Sequence, residues 1–284
     1  MITMILKQLT SKRIFVCLFI LNSFIAYSED DLNILLGYPD SLGYIIKRPQ
    51  YVISYSQDLN SARWVSWYVN KDCYGMIKRY SGSFITDTTL PETYTIIKHS
   101  DYNKSGYDKG HLVRSEERTQ SEEDNKATFY LTNIIPQYPD LNRKIWLHLE
   151  DYCKKLCKEE NKQLFIVSGG KYKKRYKKIN NKIAIPDSCW KVVLILDSGK
   201  TINNIDTNTQ IIAVMMPNKA VKIKSTQKPI IWSKFLTTTK KIENSTGFNF
   251  FPNIKPEIQE VIENKKYKNN NLILQKLPII EIGN

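Results

Sequence analysis

Histidine and cysteine are scarce in this 284-residue chain, which has three of the first and five of the second. Cys73, Cys153, Cys157 and Cys189 lack the spacing of a zinc finger, and the histidines lie elsewhere, which argues against a structural zinc module. No internal repeat is present, and no stretch has the composition of a linker between domains. The apolar run over residues 14–25 falls short of the roughly 20 residues that cross a bilayer. Acidic residues are also in short supply, 28 against 42 Lys and Arg, which leaves a net charge of +14. Such an excess suits a polyanionic partner, nucleic acid or an anionic membrane surface. AT-rich coding, which enriches Lys, Asn, Ile and Tyr together, is a second source of the same excess. With 42% hydrophobic and 11% aromatic residues, the chain has ample material for a packed core and is not disordered throughout.

The stretch over residues 107–156 carries the chemistry. Asp108-Lys109-Gly110-His111 places a histidine after a glycine, and Thr132-Asn133-Ile134-Ile135-Pro136-Gln137 reads as a polar turn after a short apolar run. A helix is then expected over residues 141–160, with Leu141, Ile145, Leu149, Tyr152, Cys153, Leu156 and Cys157 on its buried face. Asn142, Trp146, Glu150 and Lys154 recur every four residues and form an adjacent stripe. A histidine near its ordinary pKa of about 6.5 can take a proton at neutral pH. An amide oxygen near the helix start can meet a hard cation; Mg²⁺ keeps several waters and needs few protein ligands. Capping the helix is the plainer role for Asn142. Together, one histidine, one amide, one carboxylate and several cations suit metal-assisted attack of water on a phosphodiester.

This ordered set resembles the DNA/RNA non-specific endonucleases of the ββα-metal fold, a group that includes mitochondrial endonuclease G. The matching residues are Asp108-Lys109-Gly110-His111, Thr132-Asn133 with Pro136-Gln137, Leu141-Asn142, Trp146 and Leu149-Glu150. The resemblance implies an α/β (α+β) fold, one domain with a central, mainly antiparallel sheet and the ββα-metal motif at one edge. It implies a catalytic set of His111 as general base, Glu150 positioning water, Asn133 fixing local geometry and Arg79 reaching the phosphate. Asn142 becomes the ligand of Mg²⁺, with Mn²⁺ as the alternative, while Lys109 and Lys154 become substrate-binding cations. DNA and RNA are the implied substrates. Three residues depart from the pattern: Lys109 replaces arginine, Arg114 stands where relatives often have proline, and Glu116 replaces a small residue. They keep open a second reading, an exported nucleic-acid-binding or adhesion protein on a decayed nuclease scaffold.

Along the chain, residues 1–28 read as a signal peptide: Lys7, Lys12 and Arg13, an apolar stretch, then Ala26-Tyr27-Ser28 before a cut. Its removal takes three positive charges and no negative ones, from +14 to +11, and leaves a secreted or periplasmic protein without stable membrane insertion. Four cysteines then remain, which permits two disulfides or four buried thiols. Residues 29–49 form an irregular lead-in, the nuclease domain spans 50–252, and 253–284 is a tail. Strands are expected at 51–55, 63–69, 128–132, 164–168, 182–186, 190–196 and 210–216. His99 reads as structural. The cation- and tyrosine-rich loop 171–178 either grips phosphates and bases or is simply solvated.

Overall fold

A computed structural model describes residues 29–223, 232–268 and 280–282. The signal-peptide segment and most of the apolar C-terminal stretch lie outside the described residues. The strands are β1 Tyr44–Arg48, β2 Tyr51–Ser56, β3 Ser61–Val69, β4 Asp108–His111, β5 Ile134–Gln137, β6 Lys162–Lys171, β7 Lys178–Ile179, β8 Ile183–Ala184, β9 Ser188–Asp197, β10 Gln210–Pro217, β11 Val221–Ile223 and β12 Ile280–Ile282. The α-helices are α1 Glu29–Ile34, α2 Glu122–Ala127, α3 Leu147–Lys158, α4 Thr239–Thr246 and α5 Pro256–Asn264.

Six strands form an antiparallel sheet in the order β1-β2-β3-β6-β9-β10. Successive side chains of a strand point to opposite faces, and both faces of this sheet are covered. Ile53, Val65, Ile166 and Val193 pack toward Leu149, Cys153 and Leu156 of α3. Their neighbours Val52, Trp64, Phe165 and Val192 pack instead with Ile242 of α4 and Ile262 of α5. The strands therefore read as nearly continuous apolar runs rather than as an alternation. Fully burying one such side chain stabilises by about 1.5–3 kcal/mol, so the sheet is a stiff platform for what lies on it.

On the α3 face, β4 and β5 form a separate two-stranded ribbon with His111 opposite Ile134 and Gly110 opposite Ile135. A Cβ on Gly110 would stand 2.1 Å from the amide oxygen of Gln137, so a larger residue here would displace that buried side chain. At the end of α4, Gly247 takes φ +79°, a left-handed turn that glycine adopts without strain.

Several local expectations need correction. The lead-in is not irregular: it holds α1 and the sheet's first strand, β1, because Tyr44 and its neighbours find an open edge on β2. Residues 128–132 are not a strand. Thr128 turns back on Asn125 through its hydroxyl, and Leu131–Asn133 is a short 3-10 turn. The segment read as a polar turn is instead β5, with Pro136 on a ribbon that needs no N–H there. Residues 182–186 supply only the two-residue β8, while β6 runs on through Gly169 and Gly170. The expected helix 141–160 has two parts: a π-helical turn over Leu141–Trp146 leads into α3. Cys73, Cys153, Cys157 and Cys189 are free thiols, the last three buried, and burial pushes the thiols of Cys153 and Cys189 up to about 12. Among the described residues, no helix is long and apolar enough to cross a membrane.

Candidate active site

His111 ends β4 and is flanked by two aromatic rings. Phe84 lies 5.3 Å away, centroid to centroid, and Phe129 meets the imidazole edge-on at 5.0 Å. The residue as a whole is half-buried, yet Nε2 is sealed and has no hydrogen-bond partner among the described residues. Native proteins rarely leave a buried polar atom unsatisfied, and such atoms concentrate at sites with chemistry to do. Desolvation first, and the Arg79 charge second, pull the pKa of His111 down from 6.5 to about 3. The expected ordinary value is thus corrected: the imidazole stays neutral far below neutral pH.

Asn133 holds this strand end in place. Its Oδ1 accepts from the Val113 N–H at 2.9 Å, and its Nδ2 donates to the carbonyls of Val113 at 3.0 Å and Thr128 at 2.8 Å. Fully buried, the amide is spent on backbone and ties the end of β4 to the segment before β5. Thr132 beside it donates to Asp87 at 2.6 Å, and Arg48 pairs with the same carboxylate at 2.7 Å.

Asn142 lies in the π-helical turn, a feature that recurs at functional sites. The helix cap is Asp140, not Asn142. Asn142 Nδ2 donates to Asp108 Oδ2 at 2.9 Å, and Arg143 clamps the same carboxylate through bonds of 2.8 and 2.6 Å. These bonds hold the Asp108 carboxyl below its ordinary range against the opposing desolvation. With the nitrogen bound this way, Asn142 Oδ1 is left without a hydrogen-bond donor among the described residues. One oriented, neutral oxygen suits a hard divalent cation that keeps most of its waters. Among the described residues, no group of three His, Cys, Asp or Glu side chains is placed to hold a metal, so a thiolate or histidine cage is not the arrangement here.

The four-residue stripe of Asn142, Trp146, Glu150 and Lys154 does not stay on one surface, because the π turn changes its phase. Trp146 and Glu150 are buried. Glu150 Oε1 accepts from Lys191 Nζ at 3.4 Å, and Oε2 lies 3.8 Å from Arg114 Nε. Desolvation raises the Glu150 pKa, opposed first by Lys191 and then by Arg114. Lys191 is itself fully buried, with its ammonium 4.6 Å from the Trp146 ring and 5.3 Å from that of Trp67. Cation–π attraction between two indoles replaces part of its lost hydration. Arg114 also pairs with Glu116 at 2.5 Å and Asp151 at 2.8 Å, and Lys154 pairs with Glu116. Two of the three departures from the family pattern thus contact each other.

Arg79 donates to Ser115 and stands 4.8 Å from the Phe129 ring, sharing that ring with His111. It therefore belongs to the site. Lys109 lies over Phe84 and Tyr102 at 5.6 and 5.5 Å and does not pair with Glu116. Lys154 is committed to Glu116, so a phosphate would compete with a carboxylate for it. His99 is structural, accepting the Phe84 N–H on Nδ1 at 3.1 Å. Sequence reasoning did not assign roles to Lys191, Asp87 or the aromatic pair. Lys191 left a visible signal, a single charge inside the apolar strand Trp190-Lys191-Val192-Val193.

A model of the DNA/RNA non-specific endonuclease family matches residues 33–257. A nuclease of Nostoc sp. is 37% identical over 243 residues, 82% of this chain and 85% of its own length. Human mitochondrial endonuclease G is 28% identical over 225 residues, 75% and 71% of the two chains. In the crystal structure of the EndoG/EndoGI complex, a chain superimposes with a TM-score of 0.71 at 23% identity, covering 85% of this chain and 98% of that one, which supports the fold. With most of its length inside the family match, the chain belongs to the DNA/RNA non-specific endonuclease family and is a phosphodiester-cleaving nuclease.

Proposed function

We propose that this protein is an exported, divalent-metal-dependent endonuclease that hydrolyses internal phosphodiesters of DNA and RNA with little sequence preference. The observation that carries the reading is the Asn142 amide, pinned by Asp108 so that Oδ1 is left for a cation. Asn142 would hold Mg²⁺, or Mn²⁺ in its place. A bound cation of this kind supplies Lewis-acid stabilisation of charge on the phosphate oxygens and on the departing 3′ oxygen. His111 takes the proton of the attacking water. The positive charge of Arg79 opposes protonation of His111 in the free protein. A phosphodiester drawn to Arg79 offsets that charge and makes the imidazole a better base when substrate is bound. Asn133 and Asp108 hold the two reacting side chains in register, and Glu150 braces Arg114 from within. Backbone contacts through cations carry no base information, hence the low specificity.

A plasmid-nicking assay, run with Mg²⁺ and again with EDTA, tests this reading. Supercoiled DNA and an unrelated RNA are both degraded, and EDTA stops both. Asn142→Ala loses activity and recovers part of it at high Mg²⁺; an unchanged metal dependence would remove Asn142 as the ligand. Binding without EDTA-sensitive cleavage would point to a decayed scaffold. Export is checked separately, by the mass of the protein recovered outside the cytoplasm, which should begin at Glu29.

A further inference from the structure

A groove of about 840 Å³ opens beside the start of β4. Arg175, Lys177 and Lys219 line it, as do the tyrosines Tyr107 and Tyr176. Tyr107 directly precedes Asp108, the carboxylate that holds Asn142, so the groove begins one residue from the candidate metal end of the site. Its floor is tied to the ribbon. Asn218 donates to the carbonyls of Pro136 and Pro186, both at 2.9 Å, and accepts from the Tyr138 N–H at 2.7 Å. The one carboxylate in the lining, Asp187, is taken by Lys173 at 2.7 Å and by that residue's own N–H at 2.9 Å. The charge facing a ligand is therefore positive. A cavity of about 990 Å³ at the far end of α3 differs on this point, since Glu160, Asp197 and Asp206 there offset Lys162, Lys200 and Lys268 and leave no net positive charge.

We propose that this groove is an extension of the active site that takes an unpaired nucleic-acid strand adjoining the scissile bond, with Arg175, Lys177 and Lys219 on its phosphates and Tyr107 and Tyr176 against its bases. The proposal rests on the nuclease reading above and adds a strand preference to it. Cations alone would serve a duplex equally well. Half-buried tyrosine rings among them serve only a strand whose base faces are open, because a duplex hides those faces in its own stack. Tyr176 is held for this role, with its hydroxyl on the Asp58 carbonyl at 3.2 Å and its ring edge-on to Tyr172 at 6.0 Å.

The test measures binding in a His111→Ala background, so that cleavage does not interfere, with a short single strand and a duplex of the same sequence. In that background Arg175→Gln/Lys177→Gln/Lys219→Gln should weaken single-strand binding by on the order of tenfold and flatten its log–log salt slope by about 2, as three fewer released counterions require. Tyr176→Leu should weaken single-strand binding by roughly fivefold or more and leave duplex binding as it was. In the active protein the triple variant should raise KM on single strands with kcat retained, and its melting temperature reports that it is folded. An unchanged salt slope and KM in the folded triple variant would overturn the groove, and equal losses for duplex and single strand would overturn the strand preference. Failure of the nuclease reading looks different. The wild-type protein would then bind strands in this groove, with the same sensitivity to the triple substitution, and cleave nothing.

Discussion

His111→Ala abolishes cleavage of both plasmid and RNA, with turnover falling by roughly 10²- to 10⁴-fold, while affinity for nucleic acid survives. Affinity survives because the cations that attract phosphate lie on other residues. The loss is large because His111 carries the one imidazole of the ribbon, and its unpartnered Nε2 shows that the fold does not use the ring as a hydrogen-bonding strut. The pH behaviour separates this role from a structural one. The pKa of His111 is lowered from 6.5 to about 3 in the folded chain. Unfolded chains therefore bind a proton between those values that folded ones refuse. Stability that is present above about pH 6.5 is lost as the pH falls toward 3, and His111→Ala should flatten that part of the curve. For the same reason, kcat/KM of the wild-type protein should show no acid limb centred near 6.5. A limb at that pH would overturn the lowered pKa, and near-wild-type turnover in the alanine variant would end the general-base assignment.

Lys191→Met lowers stability by about 3–5 kcal/mol, since it leaves the buried Glu150 carboxylate without its principal counter-charge. For a domain of this size that is roughly 10 °C in melting temperature. Several charged or titratable groups surround Glu150: Lys191 from β9, Arg114 and Glu117 from the segment after β4, and Cys153 one turn along α3. Arg114 alone, at 3.8 Å and shared with Glu116 and Asp151, does not replace the lysine. The sign with pH follows from the raised pKa of Glu150, whose ordinary value is 4.5. Its protonated form costs far less to bury than an unpaired carboxylate, so the deficit of the variant is smallest below about pH 4.5 and grows as the pH rises above it. Adding Glu150→Leu removes the stranded charge and should restore most of the melting temperature. Thermal unfolding of the three proteins at pH 4 and pH 7 decides the matter. Equal melting of Lys191→Met and wild type at pH 7 would show that the buried pair contributes little.

The family, the reaction class and the order of the site's parts were legible in local sequence because each depends on residues close together in the chain. Gly110 and His111 share one strand, Asn133 is tied to residues twenty or fewer positions away, and the apolar spacing over residues 141–157 belongs to a helix whatever surrounds it. The strands of the sheet core were legible for the same reason, as apolar runs that must be buried on both faces. The assignments that needed correction depended on partners far along the chain. Residues 44–48 are a strand because β2 offers an edge, and 134–137 are one because β4 does; neither segment announces this by itself.

Electrostatic assignments depended still more on tertiary structure. A four-residue spacing places Glu150 beside Asn142 on paper, but the π turn and the neighbouring strand bring it to Lys191, 41 residues away. Nothing local marks Arg114 and Glu116 as partners of α3, nor Asp108 as the anchor of Asn142, 34 residues further on. The sequence alone determined which chemical groups this protein has and the order in which they occur. The tertiary structure decided which are charged, which are spent on the fold and which are left for substrate. Desolvation and Coulomb energy depend on distances through space, and those exist only once the sheet has brought β9, the ribbon and α3 together.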